Sequence, residues 1–250
     1  MIDFGRSFSF PFRGPAWLSR LAVGALFELL PLLLILPSLL TILRRHRLPG
    51  LPGLVLLPVA GALGLAGRFV VLGYLRRVAK GVLAGDGDEL PAWDRFADDV
   101  VEGLKLWLVG VALFLPAIAV VAGLTLLIMA VSSPAWAWLP ILLVAPPAVL
   151  LTLGYLPAGL LAAVARDELA AAFDLEGVGR TISRVVGPYA LGFLVAIAAE
   201  IVAQLGLVVC CVGIFATRFA AHCIVTHAFA TVYREAQPPP AAAPVEIATG

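Results

Sequence analysis

Sixty consecutive residues, Leu106 to Ala165, contain no Asp, Glu, Lys, Arg or His. A water-soluble fold has no place to hide so long an uncharged run, whereas about 20 apolar residues cross a bilayer once. The run therefore holds two crossings, turned at Ser132, Ser133 and Pro134. Lipid is the solvent here, and backbone polar groups in lipid must be satisfied within helices or closed barrels.

Composition extends this to the whole chain. Apolar residues make up 62% and charged residues 13% of the sequence, and the mean hydropathy is +1.04, whereas a soluble domain is about one quarter charged. A net charge of +1 gives no electrostatic footprint for nucleic acid. Cys210, Cys211 and Cys223 all sit in apolar sequence, and adjacent cysteines such as the first two rarely meet disulfide geometry. The opening MIDFGRSFSFPFRGPAW leads into an apolar run without an A-x-A-like cleavage site, so that run is read as a retained anchor and not a removable signal.

Six apolar runs follow: Trp17 to Ile42, Leu51 to Leu75, Leu106 to Val131, Ala135 to Val164, Tyr189 to Leu207 and Val208 to Val232. The expectation is an all-α membrane bundle of about six transmembrane helices over residues 17–235. A cytoplasmic segment, 1–16, precedes it, and a disordered tail, 236–250, follows. Pro146, Pro147 and Pro157 predict a kink in the fourth run, since each lacks an amide donor. The last two runs leave room only for a tight turn near Cys210. With the amino terminus inside, twelve Lys and Arg residues fall on the cytoplasmic side. Arg44, Arg45 and Arg47 fall outside, the one local contradiction, and a re-entrant first segment broken at Pro31 and Pro37 would relieve it.

The cytoplasmic loops carry their own pattern. Trp93, Phe96, Ala97, Val100, Val101 and Leu104 recur at helical spacing among Asp94, Arg95, Asp98, Asp99 and Glu102, which predicts an amphipathic helix lying in the interface. Phe173, Val178, Ile182 and Val185 trace a second one. A repeat emerges from these loops. Gly73-Tyr74-Leu75 closes the second run and Gly154-Tyr155-Leu156 comes near the end of the fourth. Each is followed by a surface helix and another span, so units at about 51–131 and 135–207 are expected to be parallel repeats.

Four charged side chains fall inside apolar runs: Glu28, Arg68, Glu200 and Arg218. Submerging one costs at least ~2.5 kcal/mol on the lenient insertion scale, so each requires a partner, a wet cavity or neutralisation. In an antiparallel hairpin, Glu28 and Arg68 are symmetric about Leu48, and Glu200 and Arg218 about Val209. Two readings of these pairs stand side by side: ion pairs that lock each hairpin, and carboxylates on a proton or ion path. Gly61, Gly64 and Gly67 form a small-residue stripe suited to close helix packing. His222, Cys223 and His227 supply only two residues on a common face, too few for structural zinc. Gly85 to Glu89 lacks the alternating ligands of a calcium loop. No metal or cofactor is expected.

The order Gly73-Tyr74-Leu75-Arg76-Arg77, then Leu90-Pro91-Ala92-Trp93, then Glu102-Gly103-Leu104 resembles a prokaryotic membrane family known as domain of unknown function 4013. The likeness extends to Ala172-Phe173, Gly213-Ile214-Phe215 and Tyr233-Arg234-Glu235, covering most of the chain except the tail. The resemblance implies a multi-pass membrane protein and carries no reaction or functional residue with it.

The chain contains no G-x-S-x-G, H-E-x-x-H, Walker loop, C-x-x-C or dinucleotide fingerprint. The expected function is thus a non-catalytic scaffold or accessory subunit of the bacterial inner membrane, presenting its amphipathic helices to lipid, to a membrane-protein partner or to a second copy. The alternative is a small transporter or channel built on the Glu/Arg pairs, and the third is a lipid-modifying enzyme.

Overall fold

The computed structural model describes residues 4–45, 51–132, 134–209 and 213–237. Every regular element among them is helical. A short α1 (Phe4–Ser9) and a 3-10 turn (Phe10–Phe12) precede the long hairpin of α2 (Trp17–Arg45) and α3 (Leu51–Ala84). Next come α4 (Phe96–Val131), α5 (Leu139–Leu143) and α6 (Ala145–Arg166). A 3-10 turn (Leu169–Phe173), α7 (Leu175–Arg184), α8 (Val186–Val209) and α9 (Gly213–Ala236) complete the described chain. Leu48, the turn at Cys210 and the tail beyond Gln237 lie outside the described residues.

Four described helices are long and apolar enough to cross a membrane: Pro58–Ala84, Phe96–Val131, Ala145–Arg166 and Val186–Val208. The fold is a helical membrane bundle. None of the most apolar stretch of α4 is buried inside the protein, and Leu115, Ile118, Leu126 and Leu127 lie exposed along it. A surface like that is stable only against lipid or another protein. Helix α9 is the opposite case. It is flanked by α8, α3 and α2 and buries Phe219, Cys223, Ala228, Ala230 and Val232 almost completely, so neighbouring helices stand between much of it and lipid. That position explains how it carries His222 and His227, whereas Arg218 and Arg234 are exposed.

Packing is built from small side chains. Ala199 and Ala203 of α8 meet Ala221 and Ala228 of α9, and Ala79, Ala158, Ala162 and Ala230 join α3, α6 and α9, where the lack of bulk lets backbones approach. The tightest approach lies between α3 and α4. A Cβ placed at Gly103 would overlap the Phe69 carbonyl, and one at Gly73 would overlap the backbone of Asp99; only glycine fits at either place.

Two features of the helices differ from the sequence reading. The fourth apolar run is two helices, α5 and α6, joined through Val144. Pro146 and Pro147 occupy the first turn of α6 and have no amide to donate back to α5. Trp93–Leu104 is no separate surface helix: Trp93 precedes α4, and Phe96 to Leu104 are its first turns. At 1.5 Å per residue α4 is about 54 Å long, well beyond a ~30 Å hydrocarbon core, so a single helix serves as both span and amphipathic extension. The loop after α6 does form its own short amphipathic helix, α7, capped by Asp174, which accepts the Gly177 N–H at 2.9 Å.

The amino-terminal segment is part of the bundle. Phe10 is fully buried against Leu21, Tyr74 and Phe219, and the buried Ser7 hydroxyl lies 2.9 Å from His227 Nδ1. Arg6 pairs with Asp88, Arg20 with Glu89 at 3.5 Å, Lys80 with Asp167 at 3.0 Å, and Arg234 donates to the Val82 carbonyl at 2.9 Å. These contacts gather the amino-terminal segment, the 85–95 loop, the 167–174 segment and the end of α9 at one charged end of the molecule.

Candidate functional site

Two polar constellations stand out in this apolar bundle. The first lies where α3 meets the start of α4. Arg77 grips Asp99 with two bonds, Nε to Oδ1 at 2.9 Å and Nη2 to Oδ2 at 2.7 Å, and donates through Nη1 to the Ala92 carbonyl and to Asp94. The Asp99 carboxylate is 3% exposed. A planar fork matched to a carboxylate is the strongest geometry for an ion pair, and here it fastens the 85–95 loop to two helices.

The predicted interfacial aromatics cluster on this latch. Trp93 stacks on Tyr74 with ring centroids 3.9 Å apart, and its indole N–H donates to the Arg20 carbonyl at 2.8 Å. Phe96 stacks beyond it and is 43% exposed. Val100 is half-buried and Leu104 exposed. Trp93 is thus a packing centre for α2, α3 and α9, while Phe96 and Leu104 reach the surface.

The two Gly-Tyr motifs are only partly alike. The Tyr74 hydroxyl donates to the Pro91 carbonyl at 2.9 Å, and the Tyr155 hydroxyl to the Ala172 carbonyl at 2.8 Å. Gly73, however, is crowded by Asp99, whereas a Cβ at Gly154 would meet nothing within 4 Å. Tyr189, which the sequence reading took only as the start of a span, performs a task of its own. Its hydroxyl donates to the Gly154 carbonyl at 2.8 Å and lies 3.3 Å from the Ala158 amide, so it sits inside the α6 backbone ladder beside Pro157, a recognised cause of helix bending.

The second constellation involves the charges inside apolar runs. Arg68 Nη1 donates to Glu28 Oε1 at 3.1 Å, and His222 Nε2 lies 3.4 Å from Arg68 and 3.7 Å from Glu28. Glu200 and Arg218 do not come together: both are exposed, and no ion pair joins them among the described residues. Helix rotation is the reason. The hairpin register matches their heights, since Thr217 Oγ1 donates to the Ala203 carbonyl at 2.7 Å. Ala199 and Ala203 form the face that packs on α9, which turns Glu200 outward. Arg218 instead lines a cleft of about 520 Å³ with Glu28, Arg68, Gly61, Gly64 and Gly67. Because Phe69 meets Gly103, neighbouring Arg68 stands level with Leu104, beside Lys105, where the charged stretch of α4 ends.

Among the described residues no three metal-ligating side chains converge. His227 faces Ser7 and packs against Phe10 with ring centroids 4.5 Å apart and the rings tilted by 32°, and Cys223 is fully buried among apolar neighbours. Ser7 and Phe10 were missed as bundle residues, although the aromatic run Phe8-Ser9-Phe10-Pro11-Phe12 was a legible hint of an apolar contact surface.

Outside the spans, two carboxylates are shifted. A hydrogen bond from Lys80, reinforced by the charges of Lys80 and Arg76, holds Asp167 below its ordinary value. The Gly177 amide, then Arg166, does the same for Asp174.

No curated protein matches the chain, and no solved structure does. The family model described as protein of unknown function (DUF4013) matches residues 53–212, from early α3 through the end of α8 and across both Gly-Tyr units. The chain belongs to the DUF4013 family.

Proposed function

We propose that this protein is a non-catalytic scaffold or accessory subunit of the bacterial inner membrane, with both termini in the cytoplasm. The observation that carries this reading is the charged end of the bundle. Pairs between residues far apart in sequence, such as Arg6 with Asp88 and Lys80 with Asp167, hold it as one platform. Phe96, Leu169, Phe173 and Leu175 project from that end with 42–68% exposure. Apolar tips among paired charges suit lipid headgroups, a membrane-protein partner or a second copy. The twelve Lys and Arg residues at or beyond the ends of the apolar runs on this side favour a cytoplasmic placement.

Co-purification from native membranes after crosslinking tests the reading. A stable partner should be recovered with the wild type and lost with Phe173→Asp combined with Leu175→Asp. Reporter fusions after Ser132 and Gln237 should report opposite sides of the membrane.

The transporter reading is favoured by one observation, the cleft beside the Glu28–Arg68 pair. Solute or proton flux in reconstituted liposomes that Glu28→Gln abolishes would replace the scaffold reading with this one.

A further inference from the structure

We propose that the cleft between α2, α3 and α9 binds a phosphate group, held by Arg218 and Arg68. Three observations converge on it, none of which the scaffold reading uses.

The first is charge imbalance. Among the described residues, two arginines, Arg68 and Arg218, and one carboxylate, Glu28, line the cleft. Glu28 is committed to Arg68 at 3.1 Å and lies near His222 at 3.7 Å. Arg218 makes no hydrogen bond or ion pair among the described residues, yet it belongs to a helix whose neighbouring residues Phe219 and Ala220 are buried. A lone cation at the edge of hydrocarbon is costly and calls for a counter-charge.

The second is donor supply. Arg68 engages both Glu28 and His222 through Nη1 alone, while a guanidinium has five N–H donors. Its side chain remains 42% exposed. Arg68 and Arg218 thus offer planar donor forks to one cavity, the arrangement that favours tetrahedral phosphate over a point-charge contact.

The third is room and level. The cleft holds about 520 Å³, and its glycine wall leaves the space next to Gly61 empty, with no atom within 4 Å of an added Cβ. Arg68 stands level with Leu104, next to Lys105, at the boundary where α4 turns from charged to uncharged sequence. Phosphate groups are found at that depth. Among the described residues the cleft carries one net positive charge, which matches the single negative charge of a lipid phosphodiester or of monobasic inorganic phosphate.

The test uses the full-length protein in two arms. In one, detergent-solubilised protein is titrated with inorganic phosphate; in the other, it is reconstituted in phosphatidylcholine nanodiscs containing phosphatidylglycerol, and retained lipid is counted by native mass spectrometry. Preferential retention of phosphatidylglycerol that falls about tenfold in Arg218→Gln supports a lipid phosphate. Saturable inorganic phosphate binding with the same loss supports the site and assigns it to the free ion. Gly61→Leu, which adds bulk to the cleft wall and replaces neither arginine, should block binding as well and serves if Arg218→Gln fails to fold. Binding in neither arm, or binding unchanged in both variants, overturns the proposal.

Discussion

Tyr74 and Tyr155 make the same bond at two places in the bundle: each hydroxyl donates to a carbonyl 17 residues further on, Pro91 for the first and Ala172 for the second. Each ties the end of a long helix to the segment that follows it. This shared bond is the strongest structural likeness between the two Gly-Tyr units, because their glycines and their surroundings differ. Tyr74→Phe and Tyr155→Phe should each lose about 1 kcal/mol of stability. Thermal unfolding in detergent, followed by tryptophan fluorescence, measures it, and similar losses for the two variants are expected.

The Arg77–Asp99 latch makes a second, larger prediction. Asp99→Ala leaves the Arg77 guanidinium without its main partner in a site where the carboxylate is 3% exposed, and breaking a buried pair from one side costs about 3 kcal/mol or more. Replacing both residues together, Arg77→Met with Asp99→Leu, should recover much of that loss. A double-mutant cycle on the unfolding midpoint decides it, and additive losses would contradict a coupled pair.

The α3–α4 crossing predicts an asymmetry between glycines. Gly103→Ala and Gly73→Ala each drive a methyl group into opposing backbone, which should cost about 1–3 kcal/mol as the helices are pushed apart. Gly154→Ala and Gly110→Ala, where an added Cβ meets nothing within 4 Å, should be neutral or mildly stabilising through helix propensity. Folded yield in detergent and unfolding temperature should separate the two sets.

Acid should loosen the charged end before it loosens the spans. Asp167 and Asp174 are both held below their ordinary values, so the stability they contribute is present in full above the unfolded carboxylate range. It is lost as pH falls through their lowered values. Hydrogen exchange at residues 167–177 should therefore rise below about pH 4. In Asp167→Asn combined with Asp174→Asn, that protection should already be weak at neutral pH and show little further change with acid.

Several properties of the protein were decided by composition and spacing alone. The uncharged run from Leu106 to Ala165 required lipid, because no water-exposed arrangement of it is stable, and that requirement is local and additive along the chain. The pairing of Glu28 with Arg68 followed from equal distance to the hairpin turn, which sets depth without reference to other helices. The Gly-Tyr-Leu-Arg-Arg and Leu-Pro-Ala-Trp elements were likewise enough to indicate the family.

Depth is not direction, and the tertiary structure alone chose the direction. Glu200 and Arg218 have matched heights but occupy different faces, because Ala199 and Ala203 are the residues small enough to pack on α9. That rotation turns Glu200 outward, while α9, with Ala221 and Ala228 in the cluster against α8, carries Arg218 to the cleft of Glu28 and Arg68. Tyr189 gained its place in the α6 ladder, and Phe10 its burial, from helices distant in sequence. The continuity of α4 was missed for a related reason: amphipathic and uniformly apolar stretches read as separate elements, but an unbroken backbone hydrogen-bond ladder has no cause to stop where the solvent changes. Periodicity fixes which side chains share a face of one helix. Which neighbour covers that face is settled only when all the helices compete for the same contacts.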